Sequence, residues 1–339
     1  PGLKSAGNFN NLIGVPLTLF DLQPEHRWAV VEMGMSERGE ISRLAEIARP
    51  NIGMITNVGA GHLENFDGIS GVARAKGELF IGLPSDGVAL INADDPEVLQ
   101  LPVANGVRRV LFGTVSEADV KAENIAGHNG SVSFDLVVEG EVKKVVLPLP
   151  GRHNVTNALA AAAAAYVIGV GLEQIVSGLQ AFKPCPGRME LFVLAEDIVV
   201  LDDSYNANPL SVRAALQALR EMPPRGGKRI AVLGDMFELG AEAKNLHRDI
   251  GVVAASCCDR LIVMGALGAE IAVGARLAGM PTEKVVTLAE PEPEAVTACL
   301  LEELSQGDRL LVKGSRGMRM ERIGAQLRTL LPSATTEKG

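Results

Sequence analysis

The segment LPGRHNVTNALAAAAAA, residues 149–165, constrains the fold most because it joins a polar cluster to an abrupt alanine-rich run. Its polar residues fall where a strand is expected to end and a helix to begin, so backbone N–H groups and side-chain amides converge on one place. These residues are Arg152, His153, Asn154 and Asn157. That place suits a nucleotide, but an N-capped helix buried through its alanine face explains the segment equally well.

Four later motifs share this position at the junction of a strand and a loop. They are GRMELF (187–192), VLDDSYNANP (200–209), GDMFELG (234–240) and LVKGSRG (311–317). In parallel α/β sheets, ligands bind where the carboxyl ends of the strands meet. Together the five motifs favour a nucleotide-binding protein over a merely capped helix.

Composition limits the classes of partner. The chain has 339 residues, is 47% hydrophobic and carries a net charge of −9. That size fits two or three domains, and the negative charge argues against a nucleic-acid surface, so an anionic ligand must be held locally. The cysteines lack the spacing of a metal site, and no secretory signal precedes them. The apolar stretch 155–172 predicts a buried helix rather than a membrane span. A cytoplasmic protein without membrane insertion is expected.

The first half of the chain has the pattern of a mostly parallel sheet. Apolar runs at 28–33, 52–58, 88–92 and 109–113 predict strands, and 39–48 and 69–83 predict helices between them. From Val120 to Leu149 the pattern changes to alternating β-type runs around Glu139-Gly140-Glu141, which predicts a small antiparallel, hairpin-like insertion.

The Pro/Gly-rich KPCPGR at 183–188 marks the expected domain boundary. Beyond it, DIVVLDD, RIAVLGD, RLIVMGA and RLLVKGS predict four strands of a second, Rossmann-like α/β domain. We therefore expect a domain over 1–184, a second over 185–331 and a polar tail over 332–339. The carboxyl ends of these strands should present Asp202, Asp203, Asp235, Gly265 and Lys313.

Several single residues have both a functional and a structural interpretation. Glu32 ends an apolar strand and could bind Mg²⁺ or cap the following helix, and His62 could reach the same edge or be structural. The sequence around Lys76 indicates a solvated lysine. Arg188 could bind a phosphate or be an ordinary surface arginine. The polar cluster 203–208 exceeds what a turn requires, and a carboxylate at this position can accept ribose hydroxyls.

Taken together, the motifs resemble the Mur ligases of bacterial peptidoglycan synthesis, in particular the branch that adds D-alanyl-D-alanine. The resemblance covers nearly the whole chain and includes NFNNLIGVPLTL, EMGMSERGEI, ITNVGAGHLENF, ARAKGELF and NADDP besides the motifs above. DDSYNANP points to that branch, because the ligase for the third peptide position has a DYAHTPD-like stretch there. The family's N-terminal domain and its GxxGK[ST] P-loop are missing, so we expect a fragment that is inactive as given.

The resemblance implies roles for residues that match the family's motifs. Catalytic roles fall to Lys76, His62 and Arg188, and the metal site to Glu32, His62 and Lys76, the last as a carbamate. The implied ATP site comprises Asn154, Asn157, Arg188, Asp203, Tyr205 and Asn206. The implied site for the acceptor dipeptide comprises Asp235, Glu238, Lys313, Ser315 and Arg316.

The implied reaction is ATP-dependent amide formation through an acyl phosphate, which joins D-alanyl-D-alanine to UDP-N-acetylmuramoyl-tripeptide. The cofactors are ATP and Mg²⁺, and a cytoplasmic monomer is expected. Three alternatives remain: a Mur-type ligase with another acceptor, a non-catalytic fragment, and a nucleotide-dependent oxidoreductase. The last rests on the strand, glycine turn and helix at 261–279, which lacks a full GxGxxG fingerprint.

Overall fold

The computed structural model describes residues 1–61, 63–128, 130–288 and 292–333. His62 and residues 334–339 of the predicted tail lie outside the described residues. Contacts divide the chain into two compact units. The first comprises Pro1–Glu123, Asp135–Lys143 and Thr156–Val176, and the second Asn124–Phe134, Lys144–Val155 and Ser177–Gly339. No helix in the described ranges is long and apolar enough to cross a membrane.

The N-terminal half contains two sheets. A parallel pair joins β1 (Gly2–Lys4) to β2 (Trp28–Val30). A six-stranded sheet follows in sequential order, with β3 (Ile52–Ile55), β4 (Val88–Asn92), β5 (Arg108–Gly113), β6 (Val120–His128), β7 (Ser131–Val138) and β8 (Glu141–Leu147). The helices are α1 (Gly14–Phe20), α2 (Glu40–Ala48), α3 (Gly68–Ile81), α4 (Pro96–Leu99), α5 (His153–Val167) and α6 (Leu172–Gln180).

The predicted parallel sheet with a hairpin insertion is confirmed for β3 to β8, whereas the predicted strand at 28–33 pairs with β1 in a separate sheet. Strands β3 to β6 pair in parallel, and Glu139 and Gly140 join β7 to β8 with φ angles of 50° and 82°. Two successive residues with positive φ give the type I′ turn that fits the twist of a hairpin.

Two predicted strands were too long. The strand expected over 28–33 ends at Val30, and the one expected over 52–58 ends at Ile55. The first stops because β1 ends at Lys4, after which the Ser5 hydroxyl, not a backbone carbonyl, accepts the Glu32 N–H at 2.9 Å. An apolar run alone does not reveal where the neighbouring strand ends.

The second sheet has the order β13-β12-β11-β14-β10-β9. Its strands are β9 (Glu190–Val193), β10 (Val199–Asp202), β11 (Arg229–Leu233), β12 (Arg260–Met264), β13 (Val285–Leu288) and β14 (Arg309–Lys313). All pairs are parallel except β9 with β10. The sequence predicted β10, β11, β12 and β14 but missed the two edge strands, each of which is only four residues long.

Both faces of this sheet are covered. The helices are α7 (Pro209–Glu221), α8 (Ala243–Ala255), α9 (Gly268–Leu277), α10 (Pro293–Glu303) and α11 (Glu321–Leu330). Successive strand residues enter different cores, as Val200 packs with α10 and α11 while Leu201 packs with α7, α8 and α9. This alternation follows from the two-residue period of a strand and explains why the strands are apolar throughout.

Helix α7 begins where its sequence requires it. The Asn208 side chain accepts the Ser211 N–H at 2.8 Å, while Ser211 Oγ accepts the Asn208 N–H at 3.0 Å. Pro209 occupies the first turn, where its missing N–H costs nothing. The reciprocal cap fixes the exit of the DDSYNANP loop.

Helices α8 and α9 approach closely through two glycines. A Cβ on Gly251 would lie 1.9 Å from the Ile271 carbonyl oxygen, and a Cβ on Gly274 would lie 1.9 Å from the Arg248 carbonyl oxygen. Such distances are far inside van der Waals contact, so both positions require glycine.

We predict that Gly251→Ala lowers the free energy of unfolding by about 1–3 kcal/mol, because the added methyl forces the helices apart. Urea unfolding measures the change. The matched control is Gly178→Ala in α6, where a Cβ meets nothing within 4 Å. There we expect a gain of about 0.5–1 kcal/mol from helix propensity alone. Equal effects at the two glycines would contradict the close approach.

Candidate functional site

The loops after β10 and β14 meet through a buried ion pair. Lys313 Nζ contacts the Asp203 carboxylate, and the two side chains are 2% and 14% exposed. Lys313 Nζ also donates to the Asn206 carbonyl at 3.0 Å, and the second Asp203 oxygen accepts the Met189 N–H at 3.1 Å. The structure therefore joins Asp203, assigned to the nucleotide from sequence, to Lys313, assigned to the acceptor.

Ser315 connects three of the motif loops. Its buried hydroxyl accepts the Phe237 N–H at 2.9 Å and donates to the Ala207 carbonyl at 3.4 Å, while its N–H donates to the Asp235 carbonyl at 3.0 Å. Ser315 thus joins the GDMFELG, DDSYNANP and LVKGSRG loops.

Asp235 lies against the turn after β12. Its Oδ1 accepts the Leu267 N–H at 3.0 Å, and a Cβ on Gly265 would lie 2.6 Å from its carboxylate. Gly265 also has a φ of 102°, so no other residue fits easily here. Burial raises the pKa of Asp235, and hydrogen bonds from the start of α9 oppose the shift. Glu238, two residues beyond the buried Met236, is exposed and has a φ of 63°.

Sequence reasoning missed His247 on α8. Its buried ring accepts the Met236 N–H at Nε2, at 2.9 Å, so the hydrogen must sit on Nδ1, which donates to the Ala243 carbonyl at 2.6 Å. Burial lowers the pKa of His247, and Asp235 and Glu270 oppose the shift. His247 therefore anchors the GDMFELG loop as a neutral imidazole.

Tyr205 brings two arginines together. The guanidinium carbon of Arg188 lies 4.0 Å from the centre of the Tyr205 ring, and that of Arg316 lies 5.4 Å from it. The Tyr205 N–H donates to the Gly187 carbonyl at 2.9 Å, which places the ring beside the segment that carries Arg188. Asn206, next in the loop, is exposed.

The residues at the start of α5 differ in exposure. Asn154 is 7% exposed and its amide donates to the Pro150 carbonyl at 2.8 Å, whereas Asn157 is exposed. Burial lowers the pKa of His153, although the Asp203 carboxylate opposes the shift. The polar residues of this segment therefore have different environments, because Asn154 is buried and bonded to the preceding turn whereas Asn157 is exposed.

In the first unit, Lys76 lies on α3 and is half-buried. Its Nζ donates to the Asn57 carbonyl at 2.8 Å, in the loop after β3. Burial lowers the pKa of Lys76, while Asp95, which caps α4, opposes the shift. The structure thus differs from the solvated lysine that the local sequence indicated.

Glu32 is exposed, and its Oε1 accepts the Asn10 amide at 2.9 Å. His62, the second expected metal ligand, lies outside the described residues. Within the described ranges, no three or more His, Cys, Asp or Glu side chains form a group that could hold a metal ion.

Two parallel α/β sheets, with polar motif loops at the carboxyl ends of their strands, define the class of protein. Residues 2–165 match the Mur ligase middle domain, and residues 187–316 match the Mur ligase glutamate ligase domain. The chain belongs to the Mur ligase family. The division predicted at residue 184 stays a prediction.

Three similar proteins, one a sequence relative and two solved structures, are ligases of the same type. The UDP-N-acetylmuramoyl-tripeptide–D-alanyl-D-alanine ligase of Escherichia coli is 40% identical over 324 residues, which are 95% of this chain and 70% of that protein. The MurF crystal structure from Acinetobacter baumannii is 32% identical, with a TM-score of 0.87 over 97% of this chain and 71% of that one. The MurF ligase of Thermotoga maritima in complex with ADP is 25% identical, with a TM-score of 0.83 over 96% and 73%.

We predict that stability falls as the pH drops below about 6.5, because His247 takes up a proton in the unfolded state more readily than in the folded state. The contribution of a histidine with a lowered pKa is fully present above its unfolded pKa, about 6.5, and is lost as the pH falls. His247→Gln should reduce this pH dependence by up to about one proton, or about 1.4 kcal/mol per pH unit. Urea unfolding across pH measures it, and parallel curves for both proteins in this window would contradict the prediction.

Proposed function

We propose that this chain carries the ATP-binding and acceptor-binding parts of the ligase that joins D-alanyl-D-alanine to UDP-N-acetylmuramoyl-tripeptide in peptidoglycan synthesis. The observation that carries the proposal is the 40% identity to the Escherichia coli ligase over 95% of this chain. The DDSYNANP loop, folded around Asp203 and Tyr205, supports the same acceptor class. A cytoplasmic location belongs to the proposal.

The reaction needs two chemical steps. The tripeptide carboxylate attacks the terminal phosphorus of ATP, the bond to ADP breaks, and an acyl phosphate forms. The dipeptide amine then attacks the acyl carbon, loses its proton, and expels phosphate from a tetrahedral intermediate. The protein must bind and align both substrates and exclude water, because water would hydrolyse the acyl phosphate.

The proposed nucleotide site comprises groups of the loop after β10, the Arg188 segment and the start of α5. Asp203 would accept the ribose hydroxyls, with Arg188 on the phosphates, and we assign the adenine end to Asn154 and Asn157. The remaining proposed members are Tyr205 and Asn206. The contact of Tyr205 with Arg188 supports placing these two residues in one site.

The proposed metal site uses Glu32, His62 and Lys76. Lys76 fits a carbamate because its half-buried amine has a lowered pKa, and the neutral amine is the form that attacks CO₂. Glu32 fits Mg²⁺ as an exposed carboxylate. When bound, Mg²⁺ would neutralise charge between the nucleotide and the acyl group.

The proposed acceptor site comprises Asp235, Glu238, Lys313, Ser315 and Arg316. Their contacts separate them into two kinds. Asp235, Lys313 and Ser315 are buried and shape the loops, whereas Glu238 and Arg316 are exposed and can meet a ligand directly. We therefore assign direct contact with the dipeptide to Glu238, while Arg316 lies exposed where the dipeptide or the transferred phosphate can reach it.

The proposal is tested by calorimetry and a ligation assay. ATP binding is measured on this chain and on a version extended at its N-terminus with the matching segment of the Escherichia coli relative. Ligation by the extended version, with D-alanyl-D-alanine preferred over other dipeptides and amino acids, supports the proposal. Ligation of another acceptor alone would favour a different Mur-type ligase, and failure to bind ATP would favour a non-catalytic fragment.

We predict that Lys76→Ala lowers ligation by the extended version at least about a hundredfold and that added acetate partly restores it. The reason is that an unmodified ammonium repels Mg²⁺, whereas a carbamate supplies an anionic oxygen ligand. Lys144→Ala, at an exposed lysine, serves as the control and should ligate normally. A carbamate signal in ¹³C NMR with labelled bicarbonate, lost in Lys76→Ala, gives a readout independent of activity. Full activity of Lys76→Ala would show that the lysine is only structural.

We predict that Asp203→Asn weakens ATP binding about ten- to hundredfold, because it removes the charge that strengthens the hydrogen bonds from ribose. The same change leaves Lys313 buried without its partner, so stability should fall as well. The double variant Asp203→Asn/Lys313→Met separates the two effects, and it should regain thermal stability without regaining ATP affinity. Unchanged ATP affinity with a large rise in KM for D-alanyl-D-alanine would place the loop in the acceptor site.

A further inference from the structure

The Tyr205 ring is shared by two arginines from different motifs. Arg188 comes from GRMELF and Arg316 from LVKGSRG, and their guanidinium carbons lie 4.0 Å and 5.4 Å from the ring centre. Both arginine side chains are exposed, while Tyr205 is half-buried. Three loops distant in sequence therefore place two cations around one ring.

The charges of these arginines are only partly balanced. Arg316 Nη1 lies 3.5 Å from the Glu321 carboxylate, a solvent-exposed pair of the weak kind. Arg188 has no carboxylate partner within the described part of the chain. The neighbouring Lys313, in contrast, is neutralised by Asp203. In a chain with a net charge of −9, two cations held beside each other are best explained by an anionic ligand.

We propose that Tyr205 is a positioning residue that holds Arg188 and Arg316 around one phosphoryl group. This inference rests on the proposed function and deepens it, because it moves Arg316 from the acceptor dipeptide to the transferred phosphate. A phosphoryl group suits two arginines, because each guanidinium can bind phosphate oxygens in bidentate fashion. Cation–π contact with the Tyr205 ring holds both arginine side chains in place before the ligand binds. Less side-chain entropy is therefore lost on binding.

The first experiment titrates this chain with inorganic pyrophosphate in a calorimeter at low salt. Arg188→Gln and Arg316→Gln should each weaken binding about tenfold or more, because each removes a charge-assisted contact. Tyr205→Leu should weaken binding about three- to tenfold, whereas Tyr205→Phe keeps the ring and should bind nearly as the parent does. The effects of the two arginine changes should be non-additive, and this coupling should disappear in Tyr205→Leu.

A variant with the opposite sign separates the proposal from general damage. Glu321→Gln removes the carboxylate that competes for Arg316, so pyrophosphate should bind about two- to fivefold more tightly. A destabilised fold cannot produce a gain in affinity. Unchanged or weaker binding in Glu321→Gln would overturn the role of Arg316.

The matched controls come from a second arginine–aromatic pair. The Arg328 guanidinium carbon on α11 lies 3.6 Å from the centre of the Phe192 ring, which belongs to the end of GRMELF that forms strand β9 rather than a loop. Arg328→Gln makes the same charge change as the test variants, and Phe192→Leu makes the matching ring change. Both controls should bind pyrophosphate as the parent does, and a loss equal to that of the test variants would overturn the proposal.

A second titration, with D-alanyl-D-alanine, distinguishes phosphate from carboxylate. If Arg316→Gln weakens dipeptide binding but leaves pyrophosphate binding unchanged, the phosphate proposal is wrong and Arg316 serves the acceptor. That outcome leaves the ligase function intact. If pyrophosphate binds through all three residues but the extended version does not ligate, the proposed function is rejected and this inference is kept.

Discussion

The buried ion pair between Asp203 and Lys313 is the interaction on which the second unit's loops depend. Strands β10 and β14 are parallel neighbours, so the two side chains emerge at the same edge of the sheet. Burying both charges is favourable only with further hydrogen bonds, which the Met189 N–H and the Asn206 carbonyl supply. Since neither charge can lose its partner cheaply, the pair fixes the DDSYNANP and LVKGSRG loops relative to each other.

This arrangement couples residues to which the family resemblance gives separate roles. Asp203 is proposed for ATP and Lys313 for the acceptor, yet each is the other's main partner. A ribose that takes one Asp203 oxygen therefore changes the electrostatic environment of Lys313, and an acceptor bound by the loops that Lys313 shapes changes that of Asp203. Under the proposed roles, the two affinities are linked through this pair, and the linkage must be reciprocal.

The sequence predicted most of the fold because strands buried on both faces leave continuous apolar runs, as in β10 and β11. It missed the edge strands β9 and β13 because most of their residues are only partly buried, whereas β10, which is equally short, is buried at three of its four residues. The site was harder, since its contacts cross long stretches of chain. Asp203 and Lys313 are 110 residues apart, and nothing local shows that His247 accepts the Met236 N–H. The motifs located the loops, whereas only the fold shows which side chains hold those loops together.

The distribution of charge explains how an acidic chain can bind an anion without a basic surface. Lys313 is neutralised within the protein by Asp203, and Arg316 is partly balanced by Glu321. Arg188 is stabilised by the face of Tyr205, which offers no formal charge for a ligand to displace. Of these three cations Arg188 is the least compensated, and at Arg316 an incoming phosphate competes with one weak carboxylate. Since like charges elsewhere repel it, the anion's most favourable position is set by this ring and its two arginines rather than by the net charge of the chain.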